Sequence, residues 1–248
     1  MVIPLGKVNS IMKIQKLSVV IPAYNEARTI DTVIRRAAEE VKALGLEEDI
    51  IVVDDGSTDN TKDIVLSISG INIRYFRQAE NVGKGAALKR GFEEITGEIV
   101  LIQDADLEYD PADYKKLLNP IRDGKADVVY GSRFHGDVQR VHLFWHYLGN
   151  KIVTTLSNIF TNLNLTDMET GYKAFRREVI DSIRGHLRSK RFGIEPELTA
   201  RIAHGNWRVY EVPVNYFGRT YAEGKKIGWW DGVKALFLIV WFSLFDRR

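Results

Sequence analysis

Five short apolar runs constrain this chain more than any other feature. Each breaks off at a polar or glycine-containing loop, and each of the first four leads into a segment of helical spacing. They are Leu17–Ala23 (LSVVIPA), Ile50–Val53, Ile71–Phe76, Glu98–Gln103 and Ala126–Tyr130. Rich in β-branched residues and without polar alternation, they read as strands buried on both faces. Between the first two, Glu26–Leu44 sets Ile30, Val33, Ile34, Ala37, Val41 and Leu44 on one helical stripe that Gly45 ends. Further helices are expected to about Ser69, capped by Ser57 or Thr58, then over Gly83–Thr96 and over Pro111–Arg122, with Asp110 as cap. Strictly alternating strands and helices predict an α/β fold, Rossmann-like, with a mostly parallel sheet and helices on both faces. In such sheets ligands sit beyond the carboxyl ends of the strands.

The loops at those ends are Ala23-Tyr24-Asn25-Glu26, Asp54-Asp55-Gly56-Ser57, Asn81-Val82-Gly83-Lys84-Gly85, Asp104-Ala105-Asp106 and Gly131-Ser132-Arg133, and all are chemically capable. The most informative is VLIQDADLEYD, Val100–Asp110. Residues i and i+2 of an extended segment point the same way, so Asp104 and Asp106 face one site. Carboxylate oxygens suit a hard cation such as Mg²⁺ or Mn²⁺ and leave coordination positions for phosphate oxygens. Taken alone, the same residues are equally well a solvated acidic turn. Acidic and basic loops converging on one sheet edge favour a phosphate-metal site.

At 248 residues, 45% apolar and 27% charged, the chain has the composition of one sizeable globular domain. A net charge of +2 gives no case for nucleic acid. With no cysteine, disulfides and thiolate metal sites are excluded. The N-terminus lacks the apolar core and cleavage site of a signal peptide. Residues 1–16 read as an extension, 17–226 as the domain and 227–248 as a C-terminal apolar helix. Within the last, Val233–Phe245 is shorter than the roughly 20 residues of a membrane span. Trp229 and Trp230 before it, and Asp246-Arg247-Arg248 after it, favour a helix lying in a membrane interface; a buried core helix is the other reading.

After Gly131 the pattern changes. His142–Phe160 is helix-compatible, Asn162–Gly171 a polar loop, Ile194–His204 a helix, Trp207–Val214 a strand, and Tyr216–Lys226 a loop rich in glycine and basic residues. Asn81–Gly85 is not a Walker loop, since the upstream glycine and the Ser or Thr after lysine are missing. His142 and His146 lack the glutamate of a zinc-protease helix. Glu195 and Glu197 suit a helix N-terminus by charge, with a place near the site as the other reading.

Taken in order, VVIPAYNE, VVDDGSTDNT, NVGKGAALKRG, DADLEYDP, GSR and DMETGYKAFRR resemble the family 2 inverting glycosyltransferases of GT-A fold. The dolichyl- or polyprenyl-phosphate mannosyl- and glucosyltransferase branch is the most similar. The resemblance covers about residues 17–226. It implies that Pro22, Tyr24 and Glu26 contact the nucleobase and that Asp55 reads base or ribose. Gly83 and Lys84 would lie against the nucleotide. Asp104 and Asp106 would hold the metal, joined by Glu108 where the branch often has glutamine. Arg133, with Arg140, would meet the acceptor phosphate. Arg219 would close over the donor diphosphate, with Lys225 or Lys226 beside it. Catalysis is thereby assigned to Asp106, Arg133 and Arg219.

The implied reaction moves mannose or glucose, with inversion, from GDP-mannose or UDP-glucose to a polyprenyl phosphate, with Mg²⁺ or Mn²⁺ as cofactor. The implied place is peripheral, on the cytoplasmic face of a membrane, with a homo-oligomer or a membrane-protein partner compatible with it. Arg188, Lys190 and Arg191, with Lys151 and Trp145, are placed to meet that membrane, although a solvated charge run is the plainer reading of residues 188–191. The competing readings are a family 2 transferase acting on a polysaccharide hydroxyl, which needs a base, and a non-catalytic nucleotide-sugar-binding module.

Overall fold

The computed structural model describes residues 14–134, 143–218 and 229–246, with the side chains of residues 229–231 and 233 excepted. Five βα units come first. They run β1 (Lys16–Ala23), α1 (Ile30–Ala43), β2 (Glu47–Asp54), α2 (Thr61–Ser67), β3 (Ile73–Arg77), α3 (Lys84–Glu93), β4 (Ile99–Ile102), α4 (Tyr114–Arg122), β5 (Val128–Ser132) and α5 (Phe144–Thr161). The remainder is β6 (Lys173–Arg176), α6 (Arg177–Ile183), α7 (Ile194–His204), β7 (Val209–Pro213) and α8 (Trp229–Leu244).

The seven strands form one sheet in the order β3-β2-β1-β4-β6-β5-β7. β1 pairs in parallel with β2 and β4, β2 with β3, and β5 with β7. Only β6 runs the other way, antiparallel to both β4 and β5. Six strands therefore end at one edge, and β6 begins there. The apolar runs are central because both their faces are covered: Val19, Val20, Ile21, Ile50, Ile51, Val52 and Val53 are wholly buried. Each such side chain contributes roughly 1.5–3 kcal/mol through burial. On one face Val19, Ile21, Ile50 and Val52 pack with α1 and α4. On the other, Val20, Ile51 and Val53 pack with α3 and α7.

Several sequence expectations change. Ser57 and Thr58 do not cap α2, which starts at Thr61 with Asn60 at the cap position. Ser57 Oγ instead accepts the Asn25 amide at 2.9 Å, stitching the β1 and β2 loops together. Asp110 does cap its turn, accepting the Ala112 amide at 3.0 Å. β6 and α6 were not foreseen.

The C-terminal helix is buried along one face and exposed along the other. Ala235, Ile239 and Phe242 are buried, packed with α5 and α7, whereas Phe237, Trp241, Leu244 and Phe245 are exposed. Among the described residues no helix is long and apolar enough to cross a membrane.

Candidate active site

The carboxyl edge of the sheet is built from loops that hold one another. Asn25, in the left-handed region at φ 55°, turns the chain after β1. Its side-chain oxygen accepts the Thr58 amide at 2.8 Å. Thr61 Oγ1 accepts the Glu26 amide at 3.0 Å, and Thr29 Oγ1 donates to the Glu26 carboxylate at 3.2 Å. Pro22, Tyr24 and Glu26 are partly exposed along this rim.

Asp55 faces inward. It is 3% exposed, and its carboxylate accepts the Val82 amide at 2.9 Å and the Gly83 amide at 2.7 Å. It also takes the Gln78 side-chain amide at 2.9 Å. Burial raises its pKa, although the two backbone amides pull it back. Asp55 therefore shapes the glycine loop, and both its oxygens are engaged there. Gly83 needs to be glycine on two counts. Its φ is 118°, and a Cβ would meet the Lys190 carbonyl oxygen at 2.5 Å.

That loop delivers Lys84, the first residue of α3. Its Nζ lies 2.7 Å from Asp104 Oδ1 and 3.3 Å from Glu195 Oε1. Glu195, at the start of α7, also pairs with the wholly buried Lys173 through Oε2. Burial opposes the charge on Lys84, but Asp104 and Glu195 outweigh it, and its pKa is raised. Four charged groups, from α3, the loop after β4, β6 and α7, thus form one continuous chain: Asp104, Lys84, Glu195, Lys173. Glu197 sits two residues on and turns the other way, as helical spacing requires. It accepts the Ser189 amide at 2.7 Å and pairs with Arg201, also at 2.7 Å.

Asp104 and Asp106 follow β4 and are both partly exposed. Asp106 Oδ1 accepts the Glu108 amide at 3.1 Å. Leu107, at φ 60°, reverses the backbone between them. Glu108 consequently reaches Tyr216, whose hydroxyl donates to Oε2 at 2.7 Å. Among the described residues no group of three His, Cys, Asp or Glu side chains stands ready to hold a metal ion. The expected set Asp104, Asp106 and Glu108 is therefore not assembled as one cluster. The two aspartates still fit a hard divalent cation. Both are partly exposed carboxylates, and Asp104 already accepts a cation, the Lys84 ammonium. Any such ion would draw its other ligands from a bound phosphate and from water.

The antiparallel strand β6 brings the DMETG segment to the same edge. Gly171 backs directly onto Asp104: a Cβ there would collide with Asp104 Oδ2. Asp167 is wholly buried and holds Arg133 through Nε at 2.7 Å and Nη2 at 2.7 Å. Burial works against the Asp167 charge, but the guanidinium prevails and its pKa is lowered. Arg133 also lies over the Tyr216 ring, 5.2 Å from its centre. Its fork is thus directed at Asp167.

Glu169 differs from these residues. Its Oε1 is enclosed and, among the described residues, has no hydrogen-bond partner. Burial first, then the neighbouring Glu195, pushes its pKa up to about 7, against the pull of Lys173 and Arg133. Sequence reasoning passed over Glu169, Lys173 and Asp167. The signal was present in DMETGYKAFRR, whose acids and lysine lie in a segment that reads as a loop until β6 is recognised. Arg140, Arg219, Lys225, Lys226 and His142 lie outside the described residues.

A mostly parallel sheet with one antiparallel strand, and a pair of aspartates at its carboxyl edge, is the architecture of GT-A fold glycosyltransferases. The family model for glycosyl transferase family 2 matches residues 18–184, and the chain belongs to that family. It is similar to Glycosyltransferase AglD of Haloferax volcanii, 30% identical over 205 residues, which cover 81% of this chain and 33% of that protein. The chain thus spans about a third of that relative's length.

Among solved structures, glucosyl-3-phosphoglycerate synthase from Mycobacterium tuberculosis superposes with a TM-score of 0.71 at 22% identity, over 93% of this chain and 79% of that one. That crystal structure holds Mn²⁺, uridine diphosphate and phosphoglyceric acid. Another of the same enzyme, TM-score 0.67 and 22% identity over 92% of this chain and 79% of that one, holds Mg²⁺ and uridine diphosphate.

Proposed function

We propose that this family 2 transferase moves a hexose, mannose or glucose, from a nucleotide-diphosphate sugar to a polyprenyl phosphate with inversion, at a membrane surface. One observation carries the location of the chemistry: Asp104, Lys84 and Glu195, from three separate elements, meet at the carboxyl edge of the sheet. The donor's nucleoside would lie along Pro22, Tyr24 and Glu26, with the Gly83–Lys84 turn against its phosphates.

Asp104 and Asp106 are the residues that would hold Mg²⁺ or Mn²⁺; when bound, the ion supplies Lewis-acid neutralisation of the departing diphosphate. Lys84 adds a fixed positive charge beside the same place, kept protonated by Asp104 and Glu195. Glu195 and Lys173 limit where that ammonium can go. Arg219 supplies a guanidinium whose fork matches a diphosphate. A prenyl phosphate is already anionic at neutral pH and needs no strong base.

Arg219→Ala is expected to lower kcat more than it weakens donor binding; equal losses in both would remove its transition-state role.

The unpartnered Glu169 oxygen supports a second reading, transfer to a hydroxyl acceptor. A carboxyl group with a pKa near 7 is matched to taking a hydroxyl proton at neutral pH. Release of nucleoside diphosphate from a panel of GDP- and UDP-sugars, with and without metal and a short prenyl phosphate, separates the readings. Release that needs both metal and prenyl phosphate, and that survives Glu169→Gln within about tenfold, supports the first. Release only with a glycan acceptor, lowered about a hundredfold or more by Glu169→Gln, supports the second. No release from any donor would remove both.

A further inference from the structure

α8 is apolar on two opposite sides. Its inner stripe is buried in the core. Its outer stripe leaves Phe237 67%, Trp241 44%, Leu244 40% and Phe245 70% exposed. These positions, at i, i+4, i+7 and i+8, share one face of the helix. The Phe237 and Trp241 rings stack with centres 6.3 Å apart, and Trp241 and Phe245 follow at 5.7 Å. A helix face directed only at water carries charge there, and a continuous aromatic ladder marks a surface that meets something apolar.

Beside the ladder lie two clefts that share Arg188 and Ser189. One, of about 390 Å³, is lined by Phe237, Leu238, Trp241 and Phe242. The other, of about 440 Å³, is lined by Lys89, Arg90 and Lys190, with Glu93. Among the described residues Lys89 and Lys190 form no ion pair; Lys89 donates to the Leu187 carbonyl at 3.2 Å. Arg188 is exposed and pairs with Asp246 at the helix end, 3.3 Å away. Apolar and cationic clefts therefore adjoin across one residue pair.

We propose that the outer stripe of α8 and residues 188–192 form a docking face for an anionic phospholipid bilayer, with the ladder in the acyl boundary and the Lys89–Lys190 cleft on a headgroup phosphate. Aromatic rings with adjoining cations are the combination that binds the interface of a charged membrane. Charge argues against a second copy as the occupant. A two-fold contact through this face would gather Arg188, Lys190 and the exposed Lys234 of both copies in one interface. The face is also continuous with the active site. A Cβ on Gly83 or Gly85 would strike the backbone of Ser189 and Lys190, so this segment rests on the first turn of α3, where Lys84 stands. Docking here deepens the prenyl phosphate reading and takes its purpose from it, while its test is independent of turnover.

The test is co-sedimentation of the full chain with vesicles of phosphatidylcholine alone and of phosphatidylcholine mixed with phosphatidylglycerol. The wild type is expected to bind the anionic vesicles more tightly, with affinity falling as salt rises. Lys190→Gln is expected to weaken that binding roughly fivefold and to leave binding to neutral vesicles unchanged. Trp241→Ser with Phe245→Ser is expected to weaken it roughly tenfold or more, with an unaltered melting temperature. A wild type that stays in the supernatant with both vesicles, or variants that sediment like it, would overturn the docking face. So would a concentration-dependent dimer abolished by the same aromatic variants. Nucleoside diphosphate release to a water-soluble prenyl phosphate, measured without vesicles, keeps the two proposals apart. Its loss in a wild type that still binds vesicles removes the acceptor and leaves the docking face.

Discussion

Glu169 links the stability of this protein to pH through an enclosed carboxyl group beside a second one. Its pKa is raised from 4.5 to about 7 by burial and by Glu195. Below about pH 4.5 the group is protonated whether the chain is folded or not, and it contributes nothing. Between there and about pH 7 the unfolded chain ionises while the folded one keeps its proton, so stability falls as pH rises through this window. Above it the loss is constant. Glu169→Gln should therefore stabilise the protein at pH 8 relative to wild type, on the order of 3 kcal/mol, and the gain should vanish near pH 4.5. Denaturant unfolding of both proteins at the two pH values checks this; an equal difference at both would contradict it.

At this scale the sequence was most readable where side-chain chemistry alone decides. Asp104 and Asp106 stand at a strand end because charge cannot continue a buried run. It was least readable where packing decides. Asp55 is turned onto the amides of Val82 and Gly83, and Glu108 is carried to Tyr216 by the left-handed Leu107. Neither orientation has a signature in residue type.

Among elements, β6 changes the site most. It is only four residues, Lys-Ala-Phe-Arg, and a lysine at its first position argues against a central strand. Lys173 is tolerated there, wholly buried, because Glu195 and the Thr170 carbonyl both accept from its ammonium. No window of sequence contains that pairing, since Glu195 comes from α7. The long apolar strands needed no such partner and were legible from β-branched runs alone.

α8 shows the same division. Its apolarity was plain, but which side meets the core depends on α5 and α7. It is anchored at its end by Asp246, 3.2 Å from Arg201, which also holds Glu197. Arg201 is 4% exposed, so Arg201→Met should leave the buried Glu197 carboxylate without its cation and Asp246 with Arg188 alone, and cost about 3–5 kcal/mol. Chemical denaturation measures this; a loss below about 1 kcal/mol would show that α8 is not held by this network.

Across the whole molecule, one reversed strand in an otherwise parallel sheet assembles the site. β1, β2 and β4 bring their loops to the edge by the ordinary logic of βα units, which the alternating pattern already implied. β6 runs back between β4 and β5, and so delivers Asp167, Glu169 and Gly171 to the Asp104 side of that edge. The fold and the acidic pair were thus legible from pattern and chemistry. The buried charges behind them became visible only with the strand order.

We propose that Asp104 and Asp106, backed by Lys84 and Glu195, form the place where a nucleoside diphosphate is held with a divalent cation. Calorimetric titration of GDP and of UDP into the full chain, with and without Mn²⁺, tests it against Asp104→Asn and Asp106→Ala. The expected result is Mn²⁺-dependent binding of at least one nucleotide by the wild type, weakened about a hundredfold or more in both variants while their melting temperatures stay near wild type. Binding that is indifferent to Mn²⁺ and unchanged by either substitution would contradict it and move the site away from the carboxyl edge.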